Sequence, residues 1–108
     1  MIRKVHCLDK DFNFAFFAGQ YGNGRMAIQV GDHDEQEQWG TLTVNVPHAE
    51  VGKDEIVVKT YSENAYWVPQ VLEAMPDVFE DTGRRVSTGF TEVEIWKVKQ
   101  PIPALPRR

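Results

Sequence analysis

Residues 24–47 read Gly-Arg-Met-Ala-Ile-Gln-Val-Gly-Asp-His-Asp-Glu-Gln-Glu-Gln-Trp-Gly-Thr-Leu-Thr-Val-Asn-Val-Pro. Met26, Ile28 and Val30 alternate with Ala27, Gln29 and Gly31, and Leu42, Val44 and Val46 alternate with Thr41, Thr43 and Asn45. Each run is apolar on one side and small or polar on the other, as in adjacent strands with one face on a core and one in water. Asp32 to Gln38 reads as a polar, acidic loop between them. Pro47, which cannot donate to a ladder, stops the second run, read as Trp39 to Val46.

Upstream, Ile2 to Leu8 reads as a strand with Val5 and Cys7 on one side, and Asp9-Lys10-Asp11 as a turn. Phe12, Phe14 and Phe16 alternate in a second strand that ends near Ala18. Asn23-Gly24 suits positive φ and predicts a hairpin into the strand that begins at Arg25. Downstream, Glu55 to Tyr61 is a β-branched strand. Ser62-Glu63-Asn64 offers N-caps, and Trp67, Val71, Leu72 and Met75 form an apolar stripe at helical spacing. These features predict a helix over Tyr66–Ala74, with Pro69 in its first turn and Pro76 as its stop.

Asp77 to Thr88 reads as a connection and Phe90 to Lys99 as the last strand. That strand has Val93 and Ile95 on one side and Phe90, Trp96 and Val98 on the other, so it is either buried on both faces or bulged. The architecture expected is α+β: a single antiparallel sheet of five or six strands with one helix packed on one face. Its core combines the helix stripe with Phe14, Ile28, Val44 and Val58. Residues 1–100 form the one expected domain, and residues 101–108 a Pro-rich extended tail.

The chain has 108 residues, the size of one domain, and 42% hydrophobic residues suit a globular core. Its single cysteine, Cys7, forbids an internal disulfide and fits a reducing cytoplasm. No apolar run nears the ~20 residues that span a bilayer, and no apolar stretch follows the N-terminal charges as in a signal peptide. A net charge of −4 disfavours general affinity for nucleic-acid backbones, which rests on Lys and Arg, and favours a basic protein surface as partner.

His6, His33 and His48 stand at no metal-ligand spacing. Asp32-His33-Asp34-Glu35 is dense in hard oxygens but lacks a glycine-punctuated calcium-loop pattern, so neither metal nor cofactor is expected. Cys7 and His6, neighbours in a strand, point to opposite faces. Ser62 and Ser87 lack a nucleophile elbow. Gly19 to Gly24 precedes a strand, whereas a phosphate cradle opens a helix. Glu92 and Glu94 share one side of a strand and read as a solvated face.

With no nucleophile, base and orienter to assemble, the chain reads as a non-enzymatic interaction module. Its candidate partner-binding residues are Asp32, Asp34, Glu35 and Glu37 on the acidic loop, Trp39, and Thr41 and Thr43 on the polar sheet face with Gln29 and Asn45. The alternative is an accessory protein that binds single-stranded nucleic acid through Arg25, Arg84, Arg85 and the aromatics. Pro103 to Arg107 also matches a polyproline recognition pattern, and Arg107-Arg108 is a second basic pair.

Five segments carry a resemblance: Gly24 to Val30, Gly40 to Val46, Ser62-Glu63-Asn64, Thr82-Gly83-Arg84 and Gly89-Phe90. Their order resembles a small domain-of-unknown-function family carried mainly by bacterial plasmids, integrative elements and phages, over about Lys4 to Val98. The resemblance implies no catalytic residues. It implies a context: small acidic accessory proteins of mobile elements often bind and block a host defence complex, such as a CRISPR effector.

Overall fold

A computed structural model describes residues 1–89 and 91–105. The strands are β1 (Ile2–Cys7), β2 (Lys10–Gln20), β3 (Met26–Asp32), β4 (Glu37–Thr41), β5 (Glu55–Val58), β6 (Phe79–Thr88) and β7 (Thr91–Val98). Between β5 and β6 lie a 3-10 turn, Ser62–Tyr66, and one helix, α1 (Val68–Ala74). The fold is α+β. Its strands form two antiparallel sheets, ordered β1-β2-β3-β4 and β5-β7-β6, and not the single sheet the alternation suggests.

The division falls inside the Trp39–Val46 run. β4 ends at Thr41, and its register against β3 shifts between Val30 and Gly31. Leu42 and Thr43, consecutive residues, are then both buried, which a flat strand with one wet face does not permit. The backbone here is shared out. The Leu42 N–H donates to the Ile28 carbonyl (2.9 Å), and the Leu42 carbonyl accepts the Lys59 N–H (2.8 Å). The Val44 N–H donates to the Val57 carbonyl (3.0 Å). Residues 42–44 therefore stitch the end of β3 to β5, and the two sheets wrap one core.

That core takes Phe14, Phe16, Ile28 and Val30 from the first sheet, Ile56, Val58 and Trp96 from the second, and Trp67, Val71 and Met75 from the helical segment. Val44 is not in it. It packs half-buried on a smaller cluster of Val46, Ala49, Val57 and Val93 on the far face of the second sheet. β7 is thus buried on both faces, with Val93 in the small cluster and Trp96 and Val98 in the large one. Phe90, expected to open this strand, lies outside the described residues.

Asp77–Thr88, expected as a connection, contains the edge strand β6. Polar side chains mask its pattern, and a bulge between Asp81 and Arg85 interrupts the ladder, with Gly83 at φ 82°. Ser62 is not a side-chain cap: it sits at φ 56°, and no side chain caps either helical segment. Asn64 is the anchor of this turn. Buried, it donates Nδ2 to the carbonyls of Thr41 (2.8 Å) and Lys59 (3.0 Å), tying the turn to the crossing between sheets. Pro69 occupies the first turn of α1 as expected.

The helix packs on β1 and β6, closing the open side of the structure. Arg3 of β1 grips Asp77 at that closure through two hydrogen bonds of 3.0 and 2.7 Å. Of the tail, Ala104 pairs parallel with Ala18, and the Pro103 carbonyl accepts the Ala18 N–H at 2.9 Å. Pro106, Arg107 and Arg108, which complete the proline motif and the basic pair, lie outside the described residues.

Candidate functional site

The acidic loop is a hairpin. β3 runs to Asp32 and β4 starts at Glu37, so only residues 33–36 form the tip. Asp32 Oδ1 accepts the N–H groups of Asp34 (3.1 Å) and Glu35 (3.3 Å), an Asx-type arrangement that Asp favours. The Asp34 carboxylate accepts Asn13 Nδ2 (3.0 and 3.3 Å), and the His33 carbonyl accepts Gln36 Nε2 (2.6 Å). The tip is therefore held on β2 by side chains, with Asp34, Glu35 and Glu37 exposed.

The β1–β2 turn lies at the same end of the sheet, because His33 N donates to the Asn13 carbonyl (2.8 Å) next to the start of β2. That turn is Leu8–Asp9, both at positive φ (52° and 59°), as a two-residue hairpin turn requires. It adds Asp9 and Asp11 to the acidic end, with Asp11 bonded to His6 Nδ1 at 2.7 Å. Among the described residues, none of Asp32, Asp34, Glu35 and Glu37 pairs with a Lys or Arg.

The other candidate residues do not join them at the surface. Trp39 is half-buried and turns its ring inward, with ring centroids 4.7 Å from Phe12, 5.1 Å from Phe14 and 6.5 Å from Trp67. Its buried Nε1 has no hydrogen-bond partner among the described residues. Thr41 is half-buried and its carbonyl serves Asn64. Thr43 is buried, its hydroxyl 3.0 Å from both the Ile28 N–H nitrogen and the Tyr21 hydroxyl. The polar face thus reduces to exposed Gln29 and Asn45. Among the described residues the exposed large apolar side chains are Ile2, Leu8, Tyr66 and Leu105.

Arg25, Arg84 and Arg85, like Arg3, are committed within the chain. Arg25 donates to the carbonyls of Val46 (3.0 Å), Pro47 (3.2 Å) and Ala49, clamping the loop after the sheet crossing. Arg84 donates to the Glu50 carbonyl (3.1 Å) and pairs with Glu55. Arg85 grips Asp81 with bonds of 3.0 and 3.1 Å and lies 3.9 Å from Glu94. These contacts move the acids downward. Asp77 and Asp81 are held below the ordinary carboxylate range chiefly by the hydrogen bonds from Arg3 and Arg85. Glu55 is lowered first by the Gly52 N–H, then by Arg84. Burial pushes the Cys7 thiol up, which makes it a poor thiolate.

Glu94, read with Glu92 as a solvated face, is half-buried and accepts Trp96 Nε1 at 2.9 Å, while Glu92 is exposed. Among the described residues no group of three His, Cys, Asp or Glu is arranged to hold a metal ion, and no helix is long and apolar enough to cross a membrane. Comparison with protein-family models, curated proteins and solved structures returns no match to this chain.

The segments that carry the resemblance are the joints of this fold. Gly24 takes φ 84° at the hairpin before the Arg25 clamp. Thr43 and Asn64 satisfy buried backbone at the crossing. Thr82 Oγ1 donates to the Ile95 carbonyl (2.6 Å) beside the Gly83 bulge.

Proposed function

We propose that this protein is a non-enzymatic interaction module of a mobile genetic element that docks its acidic end on a basic, nucleic-acid-binding surface of a host defence complex. One observation carries the reading: among the described residues no Lys or Arg pairs with the hairpin carboxylates, whereas Arg3, Arg25, Arg84 and Arg85 are spent on partners inside the chain. Carboxylates on a rigid scaffold compete for the Lys and Arg that otherwise hold phosphates. The mobile-element and CRISPR-type context comes from the motif resemblance.

The test pairs capture with competition. Immobilised protein should retain a nucleic-acid-binding defence subunit from a bacterial host, release it at high salt, and lose it when Glu35→Lys and Glu37→Lys are combined. Micromolar, salt-sensitive oligonucleotide binding that Arg84→Ala/Arg85→Ala abolishes, with no protein retained, would establish the single-strand reading instead. A melt stabilised by Mg²⁺, Mn²⁺ or Zn²⁺, and no longer so in Asp32→Ala, would point to an enzyme.

A further inference from the structure

We propose that the outer face of the first sheet is a dimer interface. A second copy of this chain covers it, turned half a turn about an axis running above and along β2. Phe14 and Phe16 are buried in the core, so the alternate residues Asn13, Ala15 and Phe17 point to the other side. The helix and the second sheet lie on the core side. Among the described residues no helix or strand packs over the far side. Leu105 of the tail, beside Ala15 and Phe17 there, is 57% exposed.

The strand registers make this face complementary to itself. One row across it is Ile2, Ala15 and Gly31: a 49% exposed isoleucine on one side of β2, and no side chain on the other. The next row is Lys4, Asn13 and Asp34. Lys4 stands opposite Asn13 in the ladder, and Asn13 Nδ2 donates to the Asp34 carboxylate on its other side. Both Lys4 and Asp34 are exposed, and among the described residues neither makes an ion pair. A half-turn about β2 exchanges the two sides of each row. It lays Ile2 of one copy over Gly31 of the other, where a groove of about 370 Å³ is lined by Ala15, Phe17 and Leu105. It also sets each Lys4 against the other copy's Asp34. Ala15 and Phe17, on the axis, meet their own counterparts. Such a contact is closed and uses one patch twice, with the strands of the two sheets nearly aligned. The dimer goes beyond the partner proposed above, and Ile2, Lys4 and Phe17 have no part in that reading.

Sedimentation equilibrium of the full chain tests the interface. Reversible dimers with a Kd of about 10–100 μM are expected, as a small interface with a polar rim gives. Phe17→Lys should be monomeric while its thermal melt shows a folded chain. Lys4→Glu and Asp34→Lys, both at exposed positions, carry the test if that variant unfolds. Each alone should weaken self-association about tenfold, because two copies then set like charges against each other at both sites. An equimolar mixture of these two variants should recover the parental affinity, since the mixed dimer has opposite charges at both sites. The proposal is overturned by a chain that stays monomeric at about 1 mM. It is equally overturned by a dimer that Lys4→Glu and Asp34→Lys leave unchanged, or by a mixture that associates no more tightly than either variant alone.

Discussion

The Thr43 hydroxyl accepts the backbone N–H of Ile28 across 3.0 Å, standing in for a ladder carbonyl where the chain passes from one sheet to the other. The Tyr21 hydroxyl reaches the same oxygen, also at 3.0 Å, so a buried donor is satisfied by a side chain that is itself hydrogen-bonded.

Thr43→Val keeps the shape and strands the Ile28 N–H, which should cost about 1–3 kcal/mol. Thr43→Ser keeps the acceptor and should lose much less. Urea unfolding of the two variants side by side distinguishes the hydrogen bond from packing.

Trp67 is 3% exposed and leans on Gly40, where an added Cβ would come 3.1 Å from its ring. Trp67→Ala should cost about 3–5 kcal/mol. Gly40→Ala should cost about 1–3 kcal/mol by overpacking. If the ring shifts freely instead, a thermal melt of Gly40→Ala would match that of the parent.

Arg25→Lys tests the loop clamp. A single ammonium cannot reproduce a planar fork that serves three carbonyls, so the change is not conservative here. The expected result is faster proteolytic cleavage within residues 46–50, with the β2–β3 hairpin still protected.

Acid should loosen the closure. Asp77, Asp81 and Glu55 have folded-state pKa values below their ordinary ones, so the stability they add is present above about pH 4 and is lost as pH falls through the folded values. All three pairs are partly solvated, which keeps each effect small and salt-sensitive. Melting temperature measured from pH 7 to pH 2 should fall on the acid side, and less steeply in Asp77→Asn.

Combining Glu35→Lys with Glu37→Lys should abolish partner capture and leave the melting temperature within a few degrees of the parent, because both side chains are exposed. A large drop in stability would instead make the hairpin carboxylates architectural.

The sequence exposes those parts of the fold where local chemistry and burial agree. Asn23-Gly24 marks a real hairpin, Val5 and Cys7 face the core, and of the Trp67, Val71, Leu72 and Met75 stripe all are buried but Leu72, which is half-buried. The second sheet is hidden for two physical reasons. β6 is an edge strand whose Glu80, Arg84 and Ser87 are exposed, so its alternation carries no apolar signal. Leu42 to Val46 alternates like a strand, yet the backbone turns there to serve both sheets, and a side-chain hydroxyl replaces a strand partner. The acidic hairpin was legible as a cluster of like charges. The inward turn of Trp39 was not, since a half-buried tryptophan and an interface anchor look alike in sequence.

Neighbouring amides on the edge of β2 are satisfied from very different distances along the chain. Phe16 relies on Met1, the residue just before the adjoining strand, whereas Ala18 relies on Pro103, far along the chain. Ordering a longer intervening loop removes more chain entropy for the same single bond. During synthesis, moreover, the second bond has no partner until Pro103 has emerged. One strand edge therefore matures in two stages.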